Sequence, residues 1–254
     1  MANVTSTLAS VFRGDLASWS KLADSHRFSE LRSNFWGNQI EHEAEQWRES
    51  HPAMENDHTN DIGASCYGLD LGIDIKYSKL WVREDYIRLY DYCSEWYEEH
   101  PHSPEQLAPA VVITGQPGVG VFLSSVTSCA FSNNPSREGK SCWVSYAVRR
   151  SLGDRRPFLW YRNGICFVFV EDGVYQQHVA EKFSANDFVP LLWTFVDADA
   201  CPAGVPEKLA GSDANLFIMF TTAPKRERWK TLMKCKSCMV IIMNPWFWGE
   251  MEQA

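Results

Sequence analysis

Between residues 79 and 100, Val82, Tyr86, Leu89, Tyr90, Cys93, Trp96 and Tyr97 recur at intervals of three and four, so the spacing predicts an amphipathic helix. Three prolines, Pro101, Pro104 and Pro109, end that pattern and deliver the chain into the short β-branched run 110–114. Being apolar throughout, this run predicts a buried, central, parallel strand. A second helical pattern covers 140–152. The apolar runs 157–162 and 165–170 are joined by Asn163-Gly164, a strong hairpin signal, and Asp172-Gly173 offers a second tight turn. Together they predict a small β-meander inserted in, or extending, the parallel sheet. Three more apolar runs follow: 188–196 closing on Asp197 and Asp199, 216–220 closing on Thr221 and Thr222, and 239–243.

Upstream, Leu8, Val11, Phe12, Leu16 and Trp19 fall at helical spacings and suggest a docking helix, whereas 41–65 is polar and reads as a solvated helix and flexible linker. The alternation of strand and helix predicts an α/β fold with a mostly parallel sheet flanked by helices over residues 66–248. A helical and flexible N-terminal extension occupies 1–65, and 249–254 form a tail.

Composition narrows the function classes. The 254 residues are 45% hydrophobic, enough for a sizeable core, and a net charge of −8 argues against a nucleic-acid or anionic-membrane surface. No run approaches the roughly 18 apolar residues that span a bilayer, and the first thirty lack a signal peptide's apolar stretch, so a cytoplasmic or nuclear protein is expected. Among eight cysteines, Cys93, Cys142 and Cys166 sit in apolar patterns as reduced thiols. Cys235 and Cys238 make a lone CxxC without the second ligand pair that zinc requires, and His42, His51 and His58 form no ligand motif. The aromatics of the meander read as sheet contacts rather than a base-stacking platform, because few basic residues interleave them.

The most specific chemistry lies after the 110–114 strand. Residues 115–120 read Gly-Gln-Pro-Gly-Val-Gly, the first half of the phosphate loop GxxxxGK[S/T], also called Walker A. Such a loop needs a lysine for the β/γ-phosphates and a hydroxyl for Mg²⁺ at the start of the following helix, whose amides face the anion. Val121 and Phe122 follow instead, and Gly139-Lys140-Ser141 appears downstream. Removing the 19 residues 121–139 restores Gly-Gln-Pro-Gly-Val-Gly-Lys-Ser in frame. The segment has neither clear periodicity nor its flanks' charge pattern, and reads as an insertion, with a retained intron as its proposed origin. An ordinary surface insertion is the alternative.

A buried strand ending in an acid is the second element of phosphate-loop enzymes, Walker B, because the carboxylate holds the Mg²⁺ shell. Asp197 fits that position; a strand-end turn residue is its structural alternative. Thr222 is a candidate sensor of the terminal phosphate. Asp199 and Glu171 are the weak candidates for the glutamate that activates water, and Arg226 and Arg228 read chiefly as a solvated face.

The ordered set VVITGQPGVG with the displaced KS, RPFLWYRNG, FVEDGVY, LLWTFVDAD and VIIMNPW resembles a fungal family of crinkler-like P-loop NTPases. The likeness spans roughly residues 79–248. It implies a P-loop NTPase-type fold with an extra strand between the loop strand and the Mg²⁺-acid strand, and ATP as ligand. It also implies Gly115, Gly118 and Gly120 in the phosphate cradle, Lys140 on the phosphates, Ser141 on Mg²⁺ and Asp197 in the metal shell. Val82-Arg83-Glu84 resembles the arginine-bearing helix start of related switch ATPases. Relatives are expected to continue into helical domains, so this chain, with its split loop and truncated C-terminus, is expected to be a weak or inactive NTPase. The rival expectation is a nucleotide-free scaffold that binds a protein partner.

Overall fold

The structure is a computed structural model, and it describes residues 6–40, 67–70, 79–99, 106–115, 139–180, 183–198 and 201–244. In chain order the helices are α1 (Leu8–Val11), α2 (Arg27–Phe35), α3 (Glu84–Glu99), α4 (Gly139–Gly153), α5 (Glu207–Ala210) and α6 (Lys230–Cys235). The strands are β1 (Ser20–Lys21), β2 (Tyr67–Asp70), β3 (Lys79–Val82), β4 (Pro109–Thr114), β5 (Phe158–Arg162), β6 (Ile165–Val170), β7 (Gly173–His178), β8 (Leu192–Asp197), β9 (Leu216–Thr222) and β10 (Ser237–Ile242).

Eight strands form one mixed sheet in the order β1-β7-β6-β5-β8-β9-β4-β10, and β2 pairs with β3 in a separate hairpin. The five strands β5, β8, β9, β4 and β10 are parallel, while β6, β7 and β1 extend the β5 side antiparallel. The meander is therefore an extension of the sheet. Its first turn works because Asn163 and Gly164 take φ of 49° and 85°, the left-handed pair that a two-residue hairpin needs. β4 is parallel to both neighbours, with β10 alone outside it.

Alternate strand residues feed two cores, as the two-residue strand period requires. Val111, Ile113, Trp193, Phe195, Phe217 and Met219 face α2, α3 and α4. Ala110, Val112, Leu192, Val196, Ile218 and Phe220 face α1, α5 and α6. The result is three layers. In α3 the stripe Tyr86, Leu89, Tyr90 and Cys93 is buried, and Glu84 and Asp85 put negative charge at its N-terminus, where the helix dipole favours it. The pattern that begins at residue 79 divides, since Val82 belongs to β3 and the helix starts at Glu84.

The N-terminal residues depart from the expected docking helix. Helix α1 ends after one turn, Phe12 is extended and bridges Phe188, and Leu16 is 44% exposed. Gly14 and Asp15 break the period; Asp15 instead caps a 3-10 turn by accepting from the Ala17 amide at 3.0 Å. Trp19 packs edge-on to Phe12, Phe183 and Phe188. Phe28 of α2 is buried against Trp160, Phe167 and Phe169. Residues 6–40 thus contribute to the sheet's edge and to both cores. The polar segment 41–65 lies outside the described residues.

Burial sets the alkaline behaviour of this fold. Desolvation raises the thiols of Cys93 and Cys166, and brings Cys201 and Cys238 from an ordinary 9.0 to about 12; it also raises Tyr146 from 10.0 to about 12. A raised folded-state value means stability that is complete below the unfolded value and lost as pH climbs through the folded one. Lys236, lowered to about 8 by burial, opposes this as pH rises from 8 to its ordinary 10.5, and Arg149, lowered to about 10, does so above 10, but the raised thiols and tyrosines outnumber them. Urea midpoints are expected to fall steadily from pH 9 to 11. A flat profile would show that the thiols are not buried as described.

Candidate functional site at the carboxyl edge of the sheet

Because the five central strands are parallel, their carboxyl ends share one edge. Thr114 is in register with Thr222 on β9 and Ile242 on β10, and Asp197 is in register with Thr221. Strand β9 therefore lies between β4 and β8, and Gly115 and Asp197 are separated by its tip. Gly115 is required by contact: a Cβ there would stand 2.9 Å from the Met243 carbonyl oxygen, backbone that cannot move aside cheaply.

Helix α4 begins at the same edge. The Trp143 indole donates to the Tyr86 carbonyl at 3.3 Å, and Ser151 meets the Tyr90 hydroxyl at 3.2 Å, so α3 and α4 run side by side in one direction. Arg83, just before α3, donates to the Asn244 carbonyl at 3.2 Å, fixing that direction with helix N-termini at the carboxyl edge. Gly139, Lys140 and Ser141 form the first turn of α4. Gly118 and Gly120, the inserted segment up to residue 138 and Asp199 lie outside the described residues.

Asp197 is half-buried, and its Oδ1 accepts from the Thr221 hydroxyl at 3.3 Å. Its backbone carbonyl accepts from the Cys201 thiol at 3.2 Å. The register places Thr221 on the Asp197 face and Thr222 on the opposite one, alongside Thr114. Thr114 and Thr222 are 4% and 1% exposed, and among the described residues neither hydroxyl finds a hydrogen-bond partner.

Glu171 sits at the turn between β6 and β7, at the opposite edge, where it accepts from the Ser6 amide at 3.1 Å. That placement removes it as a water-activating group beside Asp197, because the antiparallel β6 carries the chain away from the carboxyl edge. Arg226 is exposed and Arg228 half-buried on a turn after β9. Cys235 and Cys238 are free thiols at the end of α6 and the start of β10. Among the described residues no three His, Cys, Asp or Glu side chains are grouped to hold a metal, and no helix is long and apolar enough to cross a membrane.

One cation escaped the sequence pattern. Arg162 ends β5, next to the end of β8, and lies with its guanidinium 4.8 Å from the Trp160 ring centroid. Burial lowers its pKa and so does Arg27 at the start of α2, while the nearby Asp197 raises it. The cause is pairing across the sheet, invisible to local pattern. Arg83 is fully buried and bridges the Asn244 carbonyl and Asp85, the latter at 3.3 Å.

No family model, curated protein or solved structure matches this chain.

Proposed function

We propose that the chain binds ATP with Mg²⁺ at the carboxyl edge, as a switch-type P-loop NTPase whose split phosphate loop leaves it weak or inactive. The observation that carries this reading is the strand order: β9 inserted between the strand leading to Gly115 and the strand ending in Asp197, with the α4 N-terminus at the same edge. A nucleotide at this edge would lie over helix amides that favour phosphate. Lys140 would neutralise the phosphates, and Ser141 and Asp197 would hold Mg²⁺ with hard oxygen donors, as that ion prefers. The Thr221 hydroxyl keeps the Asp197 carboxylate oriented, and Arg162 adds a cation beside it. Mg²⁺ would supply charge neutralisation for phosphoryl transfer to water.

The test is ATP titration with and without Mg²⁺ on the wild-type chain and on Asp197→Asn. The variant should lose about tenfold in Mg²⁺-dependent affinity and leave metal-free binding unchanged, since one charged ligand is replaced by a neutral one of the same shape. Equal affinity with and without Mg²⁺ in both proteins would refute the metal assignment. The second reading, a nucleotide-free scaffold that binds a protein partner, is favoured by the split of the phosphate-loop residues in the sequence; stable folding and partner capture insensitive to Mg²⁺ and ATP would select it.

A further inference from the structure

Strand β10 is an edge, and among the described residues nothing pairs with its outer side. Its sequence, Ser-Cys-Met-Val-Ile-Ile, contains neither charge nor proline, the usual devices that blunt an open edge. The preceding Lys236 cannot serve, because its side chain is buried and its ammonium donates to the Ala214 carbonyl. On the face opposite α3, Val240 and Ile242 are 41% and 72% exposed, with Met233 of α6 nearby at 40%. On the other face a groove of about 580 Å³ runs between β10 and α3, lined by Arg88, Leu89, Tyr92, Met239 and Ile241.

We propose that a second copy of this chain occupies that edge, β10 pairing antiparallel with its counterpart about a dyad normal to the sheet. The surface is self-complementary about that axis, as an isologous contact must be. Helix α3 runs antiparallel to β10: Arg83 reaches Asn244, while the Tyr92 hydroxyl meets the Met239 sulfur at 3.0 Å. Tyr92 therefore stands beside the midpoint of the strand. Arg88 lies one turn before it on the exposed stripe of α3 and Glu95 one turn after. The dyad brings Arg88 of each copy, which pairs with Glu84 of its own helix, towards Glu95 of the other, so that each guanidinium stands between two carboxylates. Asp85, farther out, is already held by Arg83. The same axis merges the exposed Val240 and Ile242 of both copies into one apolar cluster and joins the two sheets through backbone hydrogen bonds.

Sedimentation equilibrium on the full chain is expected to give twice the 29.0 kDa monomer mass as concentration rises to about 100 µM. A 29.0 kDa species throughout that range would overturn the proposal. Val240→Lys should weaken association at least about tenfold by placing a charge on the edge. The exposed substitutions Arg88→Glu and Glu95→Arg should each weaken it several-fold and together restore it, a rescue that a folding defect cannot produce. A dimer unchanged by Val240→Lys, or charge reversals that simply add, would place the contact elsewhere and refute the edge assignment. Neither outcome depends on nucleotide binding.

Discussion

Deleting residues 121–139 should raise affinity for Mg²⁺-ATP by about 10- to 100-fold over the full chain. The deletion joins Gly120 directly to Lys140, so that the sequence entering α4 reads as the unbroken motif Gly-Gln-Pro-Gly-Val-Gly-Lys-Ser. Charge-assisted hydrogen bonds to phosphate contribute about 1.5–3 kcal/mol each, which sets the size of the gain. Lys140→Ala in the shortened chain should return affinity to the starting level. Titration with a fluorescent ATP analogue checks both, with circular dichroism to establish that each protein is folded. If the shortened and full chains are both folded and neither binds, the nucleotide reading is wrong and the scaffold reading replaces it.

The second large effect is on stability. Trp193 is 2% exposed near the start of β8 and lies within 5.3–6.2 Å, centroid to centroid, of Tyr90, Tyr97, Phe195 and Phe217. The Arg156 guanidinium stands 4.0 Å from its ring centroid. Trp193 thereby ties α3 and the end of α4 to two parallel strands. Its indole nitrogen makes no hydrogen bond, so truncation orphans no polar partner. Trp193→Ala should cost about 3–5 kcal/mol through lost contacts and the cavity left behind. Trp193→Phe should cost less, because most ring contacts survive. Urea denaturation would register the loss as a lower midpoint at nearly unchanged slope. A loss below about 1 kcal/mol would mean that the site collapses freely and the aromatic cluster does not bind the layers together.

Elements whose signal is local were legible in the chain. The Asn163-Gly164 turn, the helix over 139–153 and the apolar strand ending at Asp197 each declare themselves within a few residues, because turn dihedrals and hydrophobic period are properties of short segments. The first glycine of the loop motif is likewise matched by a place where no Cβ fits. The N-terminal stripe misled for the converse reason. Its spacing was helical, but Gly14 and Asp15 turn the chain, and Phe12 and Trp19 are buried by Phe188 and Phe183, which lie about 170 residues away in sequence.

The sequence by itself determined the alternation of strand and helix, the central apolar strands and the residue types from which an anion and Mg²⁺ site can be built. Tertiary structure decided which of those residues meet. The pairing of β8 with β9 selected Thr221, not Thr222, as the neighbour of Asp197, since a one-residue step on a strand reverses the face. The antiparallel pairing of β6 with β5 carried Glu171 to the far edge, and the parallel pairing of β5 with β8 brought Arg162 beside Asp197. Among the described residues it also left the outer side of β10 without a neighbour. Periodicity is written along the chain, whereas register and strand order arise from contacts between segments far apart in it.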